Sequence, residues 1–278
     1  MSRYAAGGVA VCLSAILFCA PFLAYVPWIG DEGILLRGAT EMLRGRVLYA
    51  DFFELHPPGG FLLTEAWLRM AGVSLTSLRL LSIVTVAAIA ALTYLACVKV
   101  WGGPFLSAVL ALAWVVLSQG ASTQVNHHYF TTAFSMAALL AVLWGGTRGA
   151  ALAGLFAGAA GMVTPTRGAL AVIAALVSLG MRRKLWLPFL VGCAVIPFLC
   201  LAYLAAHGTL LAAWDDVIVW TATRYSAIQG TPFGAGRTHQ NGPLVVAFPL
   251  ALAFGAVLLV QARKGGRHPV LMSCAAFA

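Results

Sequence analysis

The densest group of ionisable side chains in this sequence lies between residues 31 and 60. That segment reads DEGILLRGATEMLRGRVLYADFFELHPPGG and contains five acidic residues, three arginines and one histidine. Its first two residues, Asp31 and Glu32, are adjacent carboxylates, which can act as a general base or bind a divalent cation. The alternative is structural, because an aspartate often caps a helix N-terminus and a glutamate is then favourable in the first turn.

His56 and the acids before it are the next candidates in the same segment. Pro57 restricts His56 to extended backbone geometry, so its imidazole is a candidate phosphate ligand, metal ligand or proton carrier. A loop histidine at a membrane surface fits the pattern equally well. Asp51 and Glu54 stand among aromatic residues, which indicates either a sugar-contacting wall or an aromatic belt at the membrane surface. We favour the belt for Phe52 and Phe53.

Further candidates lie near the ends of later apolar runs. Residues 126–129 (Asn-His-His-Tyr) offer one histidine to a cleft, or form the polar start of a helix. Arg79 and Arg167 are candidates to bind a lipid phosphate, although arginines near helix ends also extend to lipid headgroups. Arg224 lies in a segment with tryptophans and acids, where carbohydrate contact and membrane anchoring both fit the sequence.

The elements that must position these residues are apolar runs. Of 278 residues, 62% are hydrophobic and 9% charged, against about 25% charged in a soluble domain. A bilayer crossing needs about 20 apolar residues, so the sequence predicts an all-α, polytopic transmembrane bundle of about eight or nine helices. Glycines at 154, 158 and 161 are spaced for close helix packing. The runs cover 5–29, 75–98, 104–119, 129–145, 149–164, 168–181, 185–206 and 243–261, and a ninth starts near 269.

The charges predict an orientation for this bundle. Basic residues follow alternate runs, with trios at 182–184 and 263–267, and the positive-inside rule places these gaps and the N-terminus in the cytoplasm. All eight acidic residues then lie on the opposite side. We expect a multi-pass protein of a bacterial inner membrane, whose active site faces the periplasm or the cell exterior.

The first outer loop, residues 30–74, is expected to carry the active site of a single membrane-embedded domain spanning residues 1–278. Apolar residues repeat at helical spacing over about 32–45, and Gly45 ends the pattern. Arg37 and Glu41 are predicted to pair across one turn of this helix. A second helix is predicted over about 60–70, opened by the Pro-Pro pair. Amphipathic helices of this kind lie in the membrane interface.

Several classes of protein are disfavoured by what the sequence lacks. The net charge of +9 has no basic stripe interleaved with aromatic residues, so no nucleic-acid partner is predicted. The sequence contains no phosphate-binding loop, no G-x-S-x-G or H-E-x-x-H motif, and no polar stretch long enough for a nucleotide-binding domain. A transporter or a lipid-binding protein is the alternative, although transporters place ionisable groups near the bilayer midplane, often in two related halves.

The segment 31–60 resembles the GT-C class of membrane glycosyltransferases. It is most similar to the group related to dolichyl-phosphate-mannose protein mannosyltransferases and bacterial aminoarabinose transferases (glycosyltransferase family 39). The similarity rests on an acidic pair directly after the first helix, a closing Pro-Pro and a large first outer loop, and it covers residues 1–170 best. The residues that carry it are Asp31, Glu32, Ala39, Leu43, Gly45, Leu48, Tyr49, Asp51, Pro57 and Pro58.

The resemblance implies a polyprenyl-monophosphate sugar as donor, a glycan, lipid or protein as acceptor, membrane lipids as surroundings, and inversion at the anomeric carbon. It implies that Asp31 is the catalytic acid-base residue and that Glu32 supports it. Many relatives carry a lysine before the Pro-Pro where this chain has His56, which leaves Arg167 or Arg224 as candidates to hold the phosphate. The substrate-binding candidates are Tyr49, Asp51, His56, Arg79, Arg167 and Arg224.

Two further expectations come from the same resemblance. Some relatives bind a metal ion, so a divalent metal is an open option, with Glu54, His56 and His128 as candidate ligands. Relatives usually continue well past this length, so the chain is expected to be truncated at the C-terminus, either as a fragment or as a naturally shortened protein. An inactive remnant of such an enzyme is the third hypothesis.

Overall fold

The computed structural model of the protein describes residues 2–24, 31–119, 124–180, 182–225 and 227. Over these ranges the chain forms ten α-helices and no β-strand, which confirms the all-α prediction for this part. The described residues also form two short 3₁₀ helices, at Ala20–Ala24 and Arg183–Leu185, and one π-helical segment, at Asp215–Tyr225. The α-helices are α1 Ser2–Cys19, α2 Asp31–Leu43, α3 Pro58–Ala71, α4 Leu75–Trp101, α5 Pro104–Gln119, α6 His127–Trp144, α7 Gly146–Val163, α8 Pro165–Leu179, α9 Trp186–Ala206 and α10 Leu210–Trp214.

Three helical segments are long and apolar enough to cross a membrane, namely Tyr4–Ala24, Leu75–Trp101 and Arg183–Ala206. Other apolar helices are shorter. The 15 residues of α8 rise roughly 22 Å, less than the hydrocarbon core of about 30 Å. Membrane association is therefore supported, whereas the larger bundle of eight or nine spanning helices stays a prediction.

The sequence dictates where the helices begin and end. The six apolar runs from 75–98 to 185–206 each correspond to one helix. α4 begins after Ser74, whose hydroxyl accepts the backbone N–H of Ser77, and ends at Gly102 with a left-handed φ of 76°. Gly45, with φ 85°, closes α2, and the second loop helix begins directly behind Pro57. Both helices predicted in the first loop are present.

One predicted contact in that loop is replaced by others. Glu41 lies 3.0 Å from Arg44 and 3.0 Å from Arg46, and not against Arg37. The chain turns sharply after α2, which brings the two later arginines back over Glu41. The predicted Arg37–Glu41 pair is therefore wrong, because the turn brings Arg44 and Arg46 to Glu41 and its carboxylate pairs with them instead.

α7 and α9 pack backbone against backbone. Gly154 and Gly158 of α7 face backbone atoms of Phe189 and Cys193 in α9, and Gly192 of α9 faces α7 in return. A Cβ at any of these three glycines would overlap backbone atoms, which cannot move aside. The predicted close helix packing is confirmed at Gly154 and Gly158, whereas a Cβ at Gly161 would meet nothing within 4 Å.

A tight junction places two helix N-termini at one end of the molecule. Only Thr164 separates α7 from α8, and Pro165 opens α8 in the position that proline favours. The hydroxyl of Thr131, in the first turns of α6, donates to the hydroxyl of Thr164 at 2.9 Å. The first turn of α3 also reaches this end, because Gly60 lies beside His127. The starts of α3, α6 and α8 thus converge.

Some predictions fall outside the described residues. They are the apolar runs at 243–261 and from 269, the basic trio at 263–267, and Gly30 at the start of the first loop.

Candidate active site

Asp31, the first residue of α2, is held by Asn126, the residue before α6. The Asn126 side-chain amide donates to Oδ2 of Asp31 at 2.7 Å. The amide oxygen of Asn126 accepts the backbone N–H of His128 at 2.7 Å and thereby caps α6. The side chain of Asp31 is 36% exposed. A carboxylate that is held through one oxygen and still open to solvent can be reached by an incoming hydroxyl, as a general base must be.

Three imidazole rings lie close together beside this carboxylate, tilted relative to one another. The ring of His127 lies 4.5 Å from that of His56 and 4.0 Å from that of His128, centroid to centroid. Nδ1 of His127 is 3.6 Å from Oδ2 of Asp31. We call Asp31, His56, Asn126, His127 and His128 the polar cluster. It joins the start of α2, the loop before α3 and the start of α6, which are far apart in sequence.

The histidines of α6 are neutral. Burial is the main cause that lowers the pKa of His127 to about 3, and the nearby His128, His56 and Arg167 act in the same direction. Burial and then the Arg167 charge lower the pKa of His128, against an opposite effect of Asp31. The 3.6 Å contact between His127 and Asp31 is therefore not an ion pair. Neither ring supplies the permanent charge that a phosphate group requires.

Arg167 carries a permanent positive charge near these rings. It lies in the first turn of α8, is exposed, and stands close enough to lower the pKa of both His127 and His128. The N-termini of α6 and α8 meet here and add partial positive charge. Nδ1 of His128 is buried and has no hydrogen-bond partner among the described residues. This corner of the polar cluster is suited to an anion.

Glu32 and Arg79 form a buried ion pair one residue away from Asp31. The exposed fractions are 1% for Glu32 and 3% for Arg79. Nε and Nη2 of Arg79 donate to the two carboxylate oxygens at 3.0 and 3.1 Å, and Nη1 donates to the carbonyl of Leu23 at 2.6 Å. The pair fastens the start of α2 to α4 and to the 3₁₀ turn after α1. Arg79, a predicted phosphate ligand, is thus already engaged by Glu32.

The loop before α3 is organised around His56. Nδ1 of His56 lies 2.8 Å from Oε1 of Glu54, and the Tyr49 hydroxyl donates to the His56 carbonyl at 2.7 Å. Tyr49 is buried and has a φ of 70°, a left-handed conformation that costs a non-glycine residue about 1–3 kcal/mol. Burial, with the charges of Glu54 and Asp216, raises the pKa of Tyr49. Its O–H therefore stays a donor, which fixes the backbone of His56.

The π-helical segment closes over the same loop. Oδ2 of Asp216 accepts the backbone N–H of Glu54 at 3.3 Å, and the rings of Phe53 and Trp220 lie 5.2 Å apart, nearly edge to face. Burial raises the pKa of Asp216. The predicted belt residue Phe53 thus packs on protein, at 51% exposure. Asp51 accepts the backbone N–H of Val47 at 2.7 Å, a local turn contact.

An apolar groove of about 520 Å³ lies against the loop that carries His56. Tyr49 and Pro57, which lie on either side of His56 in the loop, form one wall, and Pro165, two residues before Arg167, belongs to another. Eight further lining residues belong to α9, α10 and the π-helical segment. Those lining residues are Leu201, Leu204, Leu210, Leu211, Ala213, Trp214, Val217 and Ile218.

Two remaining predictions have weaker support in this geometry. Arg224 is exposed at the end of the π-helical segment, and no contact with the polar cluster is described for it. Within the described ranges, no three histidine, cysteine or acidic side chains are grouped so that they could hold a metal ion. Glu54 and His56 do touch, but His128 does not complete a ligand set with them.

Comparisons of the chain with protein-family models, with curated proteins and with solved structures found no match. The class of protein must therefore be argued from the site itself.

Asn126 is the site residue that the sequence indicated least. Its place before two histidines favours a helix cap, and the structure confirms the cap. The second bond, from the same amide to Asp31 across 95 positions of sequence, has no sequence signal. Only a co-varying pair in related chains could have shown it.

Proposed function

We propose that this protein is a membrane glycosyltransferase that moves a sugar from a polyprenyl-monophosphate donor to a hydroxyl acceptor, with inversion. The observation that carries this proposal is the placement of Asp31. Its carboxylate is held by Asn126 and accessible to solvent, it has His128 as a neighbour in common with Arg167, and the loop that carries His56 lines an apolar groove. A base, a phosphate site and a lipid-sized apolar surface are the three features that such a reaction requires.

The proposed reaction is a single displacement. The acceptor hydroxyl attacks the anomeric carbon while a carboxylate oxygen of Asp31 takes its proton. The new glycosidic C–O bond forms on one face of the sugar as the bond from the anomeric carbon to the phosphate oxygen breaks on the other. The electron pair leaves with the lipid phosphate, whose developing charge Arg167 and the two helix N-termini stabilise.

The neutral histidines have a different role in this proposal. Since the partly buried His127 is uncharged at pH 7, it does not occupy the Asp31 carboxylate as a cationic partner. Glu32 and Arg79 support catalysis indirectly, because their buried pair fixes the first turn of α2, and Asp31 is the first residue of that helix. The groove beside Tyr49 would take the first isoprene units of the donor.

The membrane arrangement belongs to the same proposal. The protein crosses a bacterial inner membrane several times with its N-terminus in the cytoplasm, and the polar cluster faces the periplasm or cell exterior. Supporting this, α4 begins near the cluster at Leu75 and ends beyond Lys99, a basic residue at the end that the positive-inside rule assigns to the cytoplasm.

The test is sugar transfer in proteoliposomes, from a panel of radiolabelled polyprenyl-phosphate sugars to water-soluble and lipid acceptors. Wild type is compared with Asp31→Asn, which keeps the size of the side chain and removes the base. Asp215→Asn, an exposed acid outside the polar cluster, is the matched control. We expect Asp31→Asn to lower the transfer rate by about 10²–10⁴-fold and the control to match wild type.

Two outcomes would contradict parts of the proposal. Transfer that survives Asp31→Asn within a factor of two would retain the enzyme and remove Asp31 as its base. Wild-type protein that binds polyprenyl phosphate but transfers no sugar from any donor would favour the lipid-binding alternative, which needs the apolar groove and no base.

A further inference from the structure

The hydrogen bonds of Asn126 leave it no freedom of orientation. A backbone N–H can only donate, so the side-chain atom that meets His128 N–H at 2.7 Å must be the amide oxygen. The amide nitrogen is thereby turned toward Asp31, whose carboxylate can only accept. The helix cap and the contact with Asp31 therefore determine one another.

This arrangement distinguishes the two oxygens of the Asp31 carboxylate. Oδ2 accepts from Asn126 and also faces Nδ1 of His127 at 3.6 Å. The one hydrogen bond described for this carboxylate ends on Oδ2, and the side chain is 36% exposed. Oδ1 is consequently the oxygen that can receive a proton from an incoming hydroxyl.

We propose that Asn126 is a positioning residue that anchors Oδ2 of Asp31 and thereby presents Oδ1 to the acceptor. The inference rests on the proposed transfer reaction, since it assigns a role within that reaction. Asn126 touches neither donor nor acceptor in this proposal. It acts through Asp31, so its loss should lower kcat and leave KM for the donor nearly unchanged.

Three variants separate the cap from the contact with Asp31. Asn126→Ser keeps a good helix cap and removes the donated hydrogen bond. Asn126→Asp also keeps the cap but opposes two carboxylates, which cannot both ionise freely at this distance. Ser74→Ala removes the comparable cap of α4, a helix whose cap touches no cluster residue, and serves as the control.

The kinetic arm is measured in the same proteoliposomes. We expect Asn126→Ser to lower kcat by about 100-fold, the effect of a misplaced catalytic group, with KM for the donor within twofold of wild type. In Asn126→Asp, the acid limb of the pH–rate profile should move upward by more than about one pH unit. Ser74→Ala should keep the wild-type profile.

A stability arm needs no transfer at all. The exchange variant Asp31→Asn with Asn126→Asp restores one donor and one acceptor, with the charge moved across the pair. Asn126→Asp alone should lower the melting temperature at pH 7, and the exchange variant should recover most of that loss. If it recovers nothing, the Asp31–Asn126 contact does not exist in the protein and the inference fails.

The two arms distinguish this inference from the proposed function. Recovery in the exchange variant, with no transfer by wild type, would overturn the proposed function and with it the positioning role of Asn126, while the Asp31–Asn126 contact would stand. Transfer by wild type, with Asn126→Ser at the wild-type kcat and an unmoved acid limb in Asn126→Asp, would overturn the positioning role alone.

Discussion

The buried pair of Glu32 and Arg79 gives the sharpest prediction for stability. Both side chains are almost fully buried, and Arg79 makes three hydrogen bonds, two to Glu32 and one to the Leu23 carbonyl. Arg79→Gln leaves the Glu32 carboxylate without a cation in a low-dielectric site. Removing one partner of a buried pair costs about 3–5 kcal/mol, so we expect the free energy of unfolding to fall by that amount.

The assay is reversible unfolding in mixed micelles, monitored by circular dichroism, for single and double variants. Arg69→Gln is the matched control, because Arg69 pairs with Glu65 at the surface with a 67% exposed side chain. That change should cost less than about 1 kcal/mol. Replacing both buried partners, as Glu32→Leu with Arg79→Met, should recover most of the loss, since an apolar pair carries no unpaired charge.

A particular result would refute this reasoning. If Arg79→Gln costs no more than Arg69→Gln, the pair is not buried in the folded protein. If Arg79→Gln then also raises KM for a polyprenyl-phosphate donor, Arg79 binds the lipid phosphate, as the sequence alone suggested. A large loss of stability instead assigns Arg79 to the structural support of α2.

Three further predictions are open to measurement. Since burial depresses the pKa of His127 to about 3 in the folded state, against an ordinary value of 6.5, the unfolded state binds more protons between these values. The unfolding free energy should therefore fall as pH drops from 6.5 toward 3, by up to ~1.4 kcal/mol per pH unit. His127→Gln should flatten this dependence of the unfolding free energy on pH. An unchanged dependence would contradict a neutral, desolvated His127 ring. Gly154→Ala should destabilise the protein strongly because its Cβ meets the α9 backbone, while Gly161→Ala, whose Cβ meets nothing within 4 Å, should be nearly neutral in thermal unfolding. Arg167→Gln should weaken binding of polyprenyl phosphate by at least ~10-fold in a vesicle competition assay, and Arg224→Gln should not; equal affinities for both variants would remove Arg167 from the phosphate site.

Much of the local structure was predictable because it depends on neighbours in sequence. The apolar runs, the glycines that end α2 and α4, and the prolines that open α3 and α8 act within a few residues. The first loop was also identified correctly as containing two helices. The Arg37–Glu41 pair failed because a turn after α2 offered Glu41 other partners, and such a turn is set by the path of the chain.

The sequence by itself determined which side chains are available: a carboxylate pair at residues 31–32, a histidine before Pro-Pro, and a polar start to α6. Only the tertiary structure decided how they are used. It paired Glu32 with Arg79 in the interior, left Asp31 accessible on Asn126, and neutralised the α6 histidines by burial. The physical reason is that burial and hydrogen-bond partners come from distant segments, and these set whether an ionisable group supports the fold or faces a substrate.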